Sequence, residues 1–360
     1  MKLTLQIKLL ANEIQAEHLK NTLKEANAAC NYISDMMWKN RVWNQFKTHT
    51  LVYYNVRERF NLSAQMVVRC IGKTTDAYKL DHKKKRKFKT LGSIAYDSRI
   101  LSYKKGNIAS LWTTDGRQKI PFVCHNPKYL PYVKGEADLV FKKGKWFLFQ
   151  TVDVPENNIK DVEDFLGIDF GIINIATTSD GVITSGKTLN QYREKRQRIR
   201  SSIQAKGTRS ARRLLQRLSG KEKKTASIVN HTIAKHIVKT AKDSNRGIVL
   251  EKLKGIRQNG NKKGKTFRSR LSKWSFYQLK EYIAYKAKML GIPVVFVDPR
   301  YSSQTCSQCY RIGSRKGESF KCSCGYFEHA DKNAARNIRT LGLLVNQPEK
   351  STMFCMLRHS

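Results

Sequence analysis

The sequence predicts a chain of mixed α/β and β class with more than one domain, and three observations carry that prediction. Short apolar runs broken by "KKGN", "TDGR" and "KKGK" fill residues 91–155, which is a β pattern. After residue 163, strand-like runs alternate with long helical stretches, as they do in α/β units. Four of the eight cysteines crowd into residues 306–324. At 360 residues the chain is long enough for two or three domains, each with its own core.

Taken in order, the opening "MKLTLQIKLL" alternates Leu3, Leu5, Ile7 and Leu9 with polar residues, so it reads as a strand. Gln6 and Lys8 interrupt any secretory-signal core there. Residues 12–80 turn helical. In "NLSAQMVVRCIGKTTDAYK", Ser63 is placed to cap a helix whose Ala64, Val67, Val68, Ile71 and Tyr78 share a face. "HKKKRKFK" (82–89) reads as a solvated basic linker or a phosphate contact. The first strand is expected to complete the sheet of 91–155, which makes the helices an insertion. Beyond 163, strands are expected at 165–170, 172–178, 181–184, 247–250 and 293–297. In "SFYQLKEYIAYKAKML" the residues Phe276, Leu279, Ile283, Ala287 and Leu290 form one apolar stripe, ended by Gly291. No internal repeat is present.

Charge narrows the function. There are 69 Lys plus Arg against 28 Asp plus Glu, a formal +41 at pH 7. With 40% hydrophobic and 10% aromatic residues this is a folded protein, not a disordered polycation. Such a balance calls for a polyanionic partner, and a nucleic-acid backbone fits better than an anionic membrane surface. No run of about 20 apolar residues suggests a membrane span. The excess is local: residues 187–224 hold fourteen Lys or Arg and two acids, and 252–273 hold nine and none. The expected location is cytoplasmic, beside the nucleoid, and the scattered Cys30, Cys70, Cys124 and Cys355 fit a reducing compartment.

Three acids stand in unusual contexts. Asp169 sits within the apolar run "GIDFGIINIATTSDG", where an unpaired carboxylate costs several kcal/mol. Glu251 follows Ile248, Val249 and Leu250 directly, and Asp331 opens an expected helix bearing Ala334, Ala335, Ile338 and Leu341. Each has an ordinary alternative: a cap for Asp169, a surface ion pair for Glu251, a helix-dipole partner for Asp331. If a sheet gathers them at one edge, three close carboxylates need cations to stay ionised. Two Mg²⁺ ions about 4 Å apart would satisfy them and suit phosphodiester hydrolysis.

"CSQC" and "CSC" place Cys306, Cys309, Cys322 and Cys324 with twelve residues between the pairs. That spacing suits one structural Zn²⁺ in a ribbon-like module, with His329 as a substitute ligand should Cys322 or Cys324 fail to reach. The second pair, C-x-C, is tighter than the usual C-x-x-C.

The combination of "GIDFGIINIATTSDG", "IVLEKLKGI", "DPRYSSQTCSQC" and "FKCSCGYFEHADKNAARNI" resembles TnpB, the RNA-guided endonuclease of bacterial and archaeal insertion sequences, related to type V CRISPR effectors. The likeness is specific over about 165–340 and weaker in "RERFNLSAQMVVRCIGKTTDAYK". It implies a RuvC-like, ribonuclease-H-type nuclease domain at 163–300 and 326–345 with an inserted zinc ribbon at 301–325. It also implies an amino-terminal β-barrel wedge domain at 1–10 and 91–160 with an inserted helical recognition lobe at 11–90, and leaves 346–360 as a tail. Asp169, Glu251 and Asp331 become the catalytic, Mg²⁺-binding acids. The implied partners are a guide RNA from the element's end and double-stranded target DNA with a short adjacent motif. Lys83, Lys84, Lys85, Arg86, Arg196, Arg200, Arg212, Arg213, Lys262 and Lys263 are then expected on nucleic-acid phosphates, and Arg300, Tyr301 and Gln304 near substrate. Two other readings stay open: a nuclease-inactive RNA-guided repressor and a guide-independent, structure-specific nuclease. No strand-joining activity is expected, since no His-rich metal motif accompanies a tyrosine.

Overall fold

The computed structural model describes residues 1–253, 264, 275–298 and 300–346. It divides into two compact units, Met1–Pro155 and Glu156–Ser360.

The first unit is a seven-stranded antiparallel sheet carrying three helices. Its strands are β1 (Lys2–Leu9), β2 (Ile94–Tyr96), β3 (Leu101–Lys104), β4 (Ile108–Thr113), β5 (Gly116–Cys124), β6 (Val133–Lys142) and β7 (Lys145–Asp153), in the order β2-β6-β7-β1-β5-β4-β3. β1 lies in the middle, paired along its whole length with β7 and at its end with β5. Its alternation explains this, because Leu5, Ile7 and Leu9 all point into the core. The sheet curls enough for the Tyr96 hydroxyl on edge strand β2 to donate to the Trp112 carbonyl of β4 at 2.8 Å. Helices α1 (Glu13–Asn40), α2 (Gln45–Arg59) and α3 (Ala64–Leu80) begin at Asn12, Asn44 and Ser63, whose side chains accept hydrogen bonds from first-turn amides.

The basic run 82–89 differs from a free linker. The Asn31 side chain grips both polar groups of Phe88, donating to its carbonyl (3.1 Å) and accepting from its N–H (2.7 Å). Ser34 donates to the Arg86 carbonyl at 2.6 Å, and Arg86 N–H donates to the Tyr78 hydroxyl at 3.1 Å. These partners lie on α1 and α3, so charge alone could not reveal that the backbone is tied down. Lys83 and Lys84 remain exposed, and Lys85 pairs with Asp35 at 2.8 Å.

The second unit is built on five strands, β8 (Phe165–Asp169), β9 (Asn174–Thr178), β10 (Ile183–Ser185), β11 (Gly247–Glu251) and β12 (Val294–Val297), ordered β10-β9-β8-β11-β12. β8, β11 and β12 run parallel, β9 returns antiparallel to β8, and β10 pairs antiparallel with β9. The apolar run after Asp169 is not one continuous strand, because the chain turns between 169 and 174 to reverse direction. Basic helices α4 (Lys187–Ala205) and α5 (Arg209–Leu218) lead to α6 (Lys221–Asp243), and α7 (Phe276–Met289) precedes β12. Leu166, Ile168, Ile248 and Leu250 pack with α6 and α7 on one face. Phe165, Val249 and Val297 pack with Ile338 of α8 (Ala330–Asn346) on the other. Strands buried on both faces explain the unbroken apolar runs. Within the same unit, β13 (Ser314–Lys316), β14 (Ser319–Lys321) and β15 (Phe327–His329) make a small antiparallel sheet over buried Phe320. Its third strand extends past residue 325.

α8 lies close against the strands because two glycines offer no side chain. A Cβ on Gly167 would run into the Ala335 carbonyl and come 2.5 Å from the Arg339 amide nitrogen, and one on Gly342 would run into Val249. We therefore expect Gly167→Ala to destabilise the second unit by about 3 kcal/mol, because backbone rather than a flexible side chain must yield. Chemical denaturation checks it; a loss within about 0.5 kcal/mol of zero would contradict the packing.

Candidate active site

The parallel ladder sets the first two acids. β11 pairs with β8 through Leu250 and Ile168, so Glu251 and Asp169 both fall at the carboxyl ends of neighbouring strands. Asp331 enters from the first turn of α8, the helix packed on the same strands. Glu251 is buried at 4% exposure, whereas Asp169 and Asp331 are half-buried. Partners hold Glu251 and Asp331 in place. Ser302 Oγ donates to Glu251 Oε1 at 3.3 Å, Asn174 Nδ2 donates to Asp331 Oδ2 at 2.8 Å, and Arg315 Nη2 contacts Asp331 Oδ1 at 2.9 Å.

The electrostatics follow from that geometry. Loss of solvent, then repulsion from Asp331, pushes Asp169 up to about 7, against the opposing pull of Arg315. Loss of solvent, then repulsion from Asp169, pushes Glu251 up to about 8, with the Ser302 hydrogen bond working the other way. The three carboxyl groups therefore feel one another, and the site carries more negative charge than it neutralises. Divalent cations fit that deficit. The three acids do not form a tight single-ion cage: among the described residues, only the four cysteines group three or more metal-ligating atoms within 4.8 Å of one another.

That cysteine group is a good match for zinc. Cys306 Sγ lies 3.8 Å from Cys324 Sγ, and Cys309 Sγ lies 3.5 Å from Cys322 Sγ. A tetrahedral site with Zn–S bonds of about 2.3 Å separates its sulfurs by about 3.8 Å. The tight C-x-C spacing does reach. A backbone hydrogen bond from Cys324 holds the Cys322 thiol down at about 6, while burial pushes Cys306 up to about 12. His329 is no substitute ligand here, since its Nδ1 accepts from the Asp331 amide at 3.2 Å and its Nε2 faces Glu318 at 4.0 Å.

The expected nucleic-acid residues are placed unevenly. Arg196 and Arg200 line a cavity of about 330 Å³ between α4 and α5, with Arg196 also donating to the Leu218 carbonyl. Arg212 and Arg213 are exposed on α5. Arg300, Tyr301 and Gln304 are exposed and flank Ser302, the residue touching Glu251. Lys262 and Lys263 lie outside the described residues, as does the tail from 347. Reading the sequence missed Asn174, Ser302 and Arg315. Asn174 is 157 positions from the acid it contacts, and Arg315 sits in a Lys- and Arg-rich stretch where no pattern singles it out.

Comparison with known proteins finds likenesses to these features. Residues 149–255, which contain Asp169 and Glu251, match the model described as "Probable transposase". Residues 276–338, which contain the cysteine quartet and Asp331, match "Cas12f1-like, TNB domain". The TnpB-like protein MJ0751 of Methanocaldococcus jannaschii is 33% identical over 159 residues, 44% of this chain and 55% of that one. The CRISPR-associated endodeoxyribonuclease Cas12f1 of Sulfoacidibacillus thermotolerans is 33% identical over 219 residues, 55% of this chain and 50% of its own. The chain is a homologue of the TnpB-like and Cas12f proteins. Its matches span about half the length of these curated relatives. The fold of Cas12f1, seen in a complex with sgRNA and target DNA, is shared at a TM-score of 0.59 and 15% identity, covering 91% of this chain and 83% of that one. No described helix of this chain is long and apolar enough to cross a membrane.

Two measurements test the site. Because the folded pKa values of Asp169 and Glu251 lie above their unfolded ones, the folded state holds these protons more tightly. Metal-free protein should therefore be most favoured by these groups below about pH 4 and should lose that increment as pH climbs through 7 to 8. Asp169→Asn should raise the melting temperature in EDTA at pH 8 and change it little at pH 4; equal effects at both would contradict the burial. Metal analysis should find one Zn²⁺ per chain, reduced in Cys309→Ser together with stability. A chain stable without zinc would speak against the cluster.

Proposed function

We propose that this chain is an RNA-guided DNA endonuclease of an insertion sequence, with a RuvC-like, ribonuclease-H-type second unit. The observation that supports it most is the meeting of Asp169, Glu251 and Asp331 on one sheet edge, electrostatically coupled, in a chain of formal charge +41. The strand order, three parallel strands extended by two antiparallel ones, suits that fold class.

In this reading Asp169, Glu251 and Asp331 hold two Mg²⁺ ions, and Cys306, Cys309, Cys322 and Cys324 hold one Zn²⁺. The bound Mg²⁺ supplies a nucleophilic water at neutral pH and stabilises the departing 3′ oxygen. The chain's own residues do the rest. Asp169 and Glu251, raised first by burial and then by a neighbouring acid, would give up their protons to bind the cations. Asn174 and Ser302 each spend a hydrogen bond on orienting one carboxylate. Arg315 brings a guanidinium to Asp331, where it balances charge before a phosphate arrives and can then turn to the phosphate itself. Arg300, Tyr301 and Gln304 flank the entry, and the lysines and arginines of 82–89 and of α4 and α5 neutralise backbone phosphates. Cys306, Cys309, Cys322 and Cys324 would hold Zn²⁺ on either side of the segment that bears Arg315, and so would brace it. Guide pairing reads target sequence, and the protein reads a short adjacent motif.

Protein purified with RNA from its flanking DNA should cut matched double-stranded DNA in Mg²⁺. Asp169→Ala should lower cutting by at least about 10³-fold with RNA affinity kept. Binding without cutting at any Mg²⁺ concentration would indicate a repressor instead, and cutting of branched DNA without RNA a structure-specific nuclease.

A further inference from the structure

Two acids of the site are placed by the sheet, but Asp331 rides on a helix, and its distance from Glu251 is not set by strand pairing. A buried pair of amides bridges that gap. Asn333 and Asn337 lie one turn apart on α8, at 0% and 5% exposure. Asn337 Nδ2 donates to two carbonyls, Ser302 at 2.8 Å and Thr305 at 2.6 Å. Asn333 Nδ2 donates to the same Thr305 carbonyl at 2.7 Å, and its Oδ1 accepts from the Ser307 N–H at 2.9 Å. The segment 302–307 is thereby fastened to α8 by four hydrogen bonds. Ser302 is its first residue, with its hydroxyl on Glu251, and Cys306 is part of the sulfur cluster.

We propose that Asn337, assisted by Asn333, is a positioning residue for the acid site. It holds Ser302 against Glu251 and so fixes the position of Glu251 relative to Asp331 on the same helix. This rests on the reading of the three acids as a Mg²⁺ site. Asparagine is suited to the task, because its amide satisfies main-chain groups at a helix surface without adding charge beside the carboxylates. Leucine at this position would remove the donor that Asn337 offers to the Ser302 carbonyl and leave the Thr305 carbonyl to Asn333. The second arm of the clamp reaches the cysteine module, so a module that loses its metal also loosens Ser302.

The test compares the parent chain with Asn337→Ala and Ser302→Ala, each as the full chain and, for cutting, with its RNA bound. The Mg²⁺ concentration for half-maximal cutting is measured, and so, in RNA-free protein, is the Mg²⁺ concentration for half of the metal-induced rise in melting temperature. Outer partners of metal ligands commonly govern affinity by about 10- to 100-fold. Asn337→Ala should therefore shift both half-points upward by about tenfold or more, with zinc content and RNA affinity unchanged. Ser302→Ala, which deletes the hydroxyl and leaves the clamp, should shift them in the same direction, and it decides the matter if Asn337→Ala does not fold. Parent-like half-points in the folded variants would overturn the positioning role and leave the nuclease reading intact. A parent chain that shows neither Mg²⁺-dependent cutting nor Mg²⁺-dependent stabilisation would overturn both.

Discussion

The pairing of β8 with β11 in parallel register is the constraint on which the second unit depends. Parallel neighbours end at the same edge, so a carboxylate closing one strand meets a carboxylate closing the next. That meeting is unfavourable in isolation: burial and mutual repulsion raise both groups well above the ordinary carboxylate range. The fold tolerates it because the apolar faces of the same strands are covered on both sides, by α6 and α7 on one and by α8 on the other. Stability is thus invested in the sheet and spent at its edge, the pattern expected where charge is gathered for binding cations.

Around that edge, short-range polar contacts settle the arrangement. Two of the three acids have a neutral or cationic side chain oriented at them: Ser302 for Glu251, Asn174 and Arg315 for Asp331. The cysteine module is therefore more than an appended staple. Through Arg315 on β13 it touches Asp331, and through 302–307 it touches Glu251 and α8. Those hydrogen bonds, of ordinary length, connect the module to the neighbourhood of the acids.

In the first unit the same principle appears in a different form. Segment 82–89 is dominated by lysines that repel one another, yet Asn31, Ser34 and Tyr78 bind its backbone in place. Ordering a cationic segment in advance reduces the entropy lost when a polyanion binds it. Alternating burial along β1 does comparable work in the sheet, where Leu5, Ile7 and Leu9 set the face turned to the core while backbone pairing joins β5 and β7 at its edges.

Composition and periodicity by themselves determined a good deal of this. Alternation marked β1, unbroken apolar runs marked β8 and β11, and the cysteine spacing marked the four sulfurs, because period and spacing are local properties of a chain. The acids Asp169, Glu251 and Asp331 were visible for the same reason: each breaks or ends a local pattern. Asn174, Ser302, Arg315, Asn333 and Asn337 were not visible, since each acts on a group between 16 and 157 positions away, or on one brought near by helix packing. The break between 165–170 and 172–178 was legible in the sequence, but that the second strand folds back antiparallel on the first was not. Only the tertiary structure decided which polar groups meet, for a hydrogen bond depends on distances of about 3 Å that no one-dimensional pattern encodes.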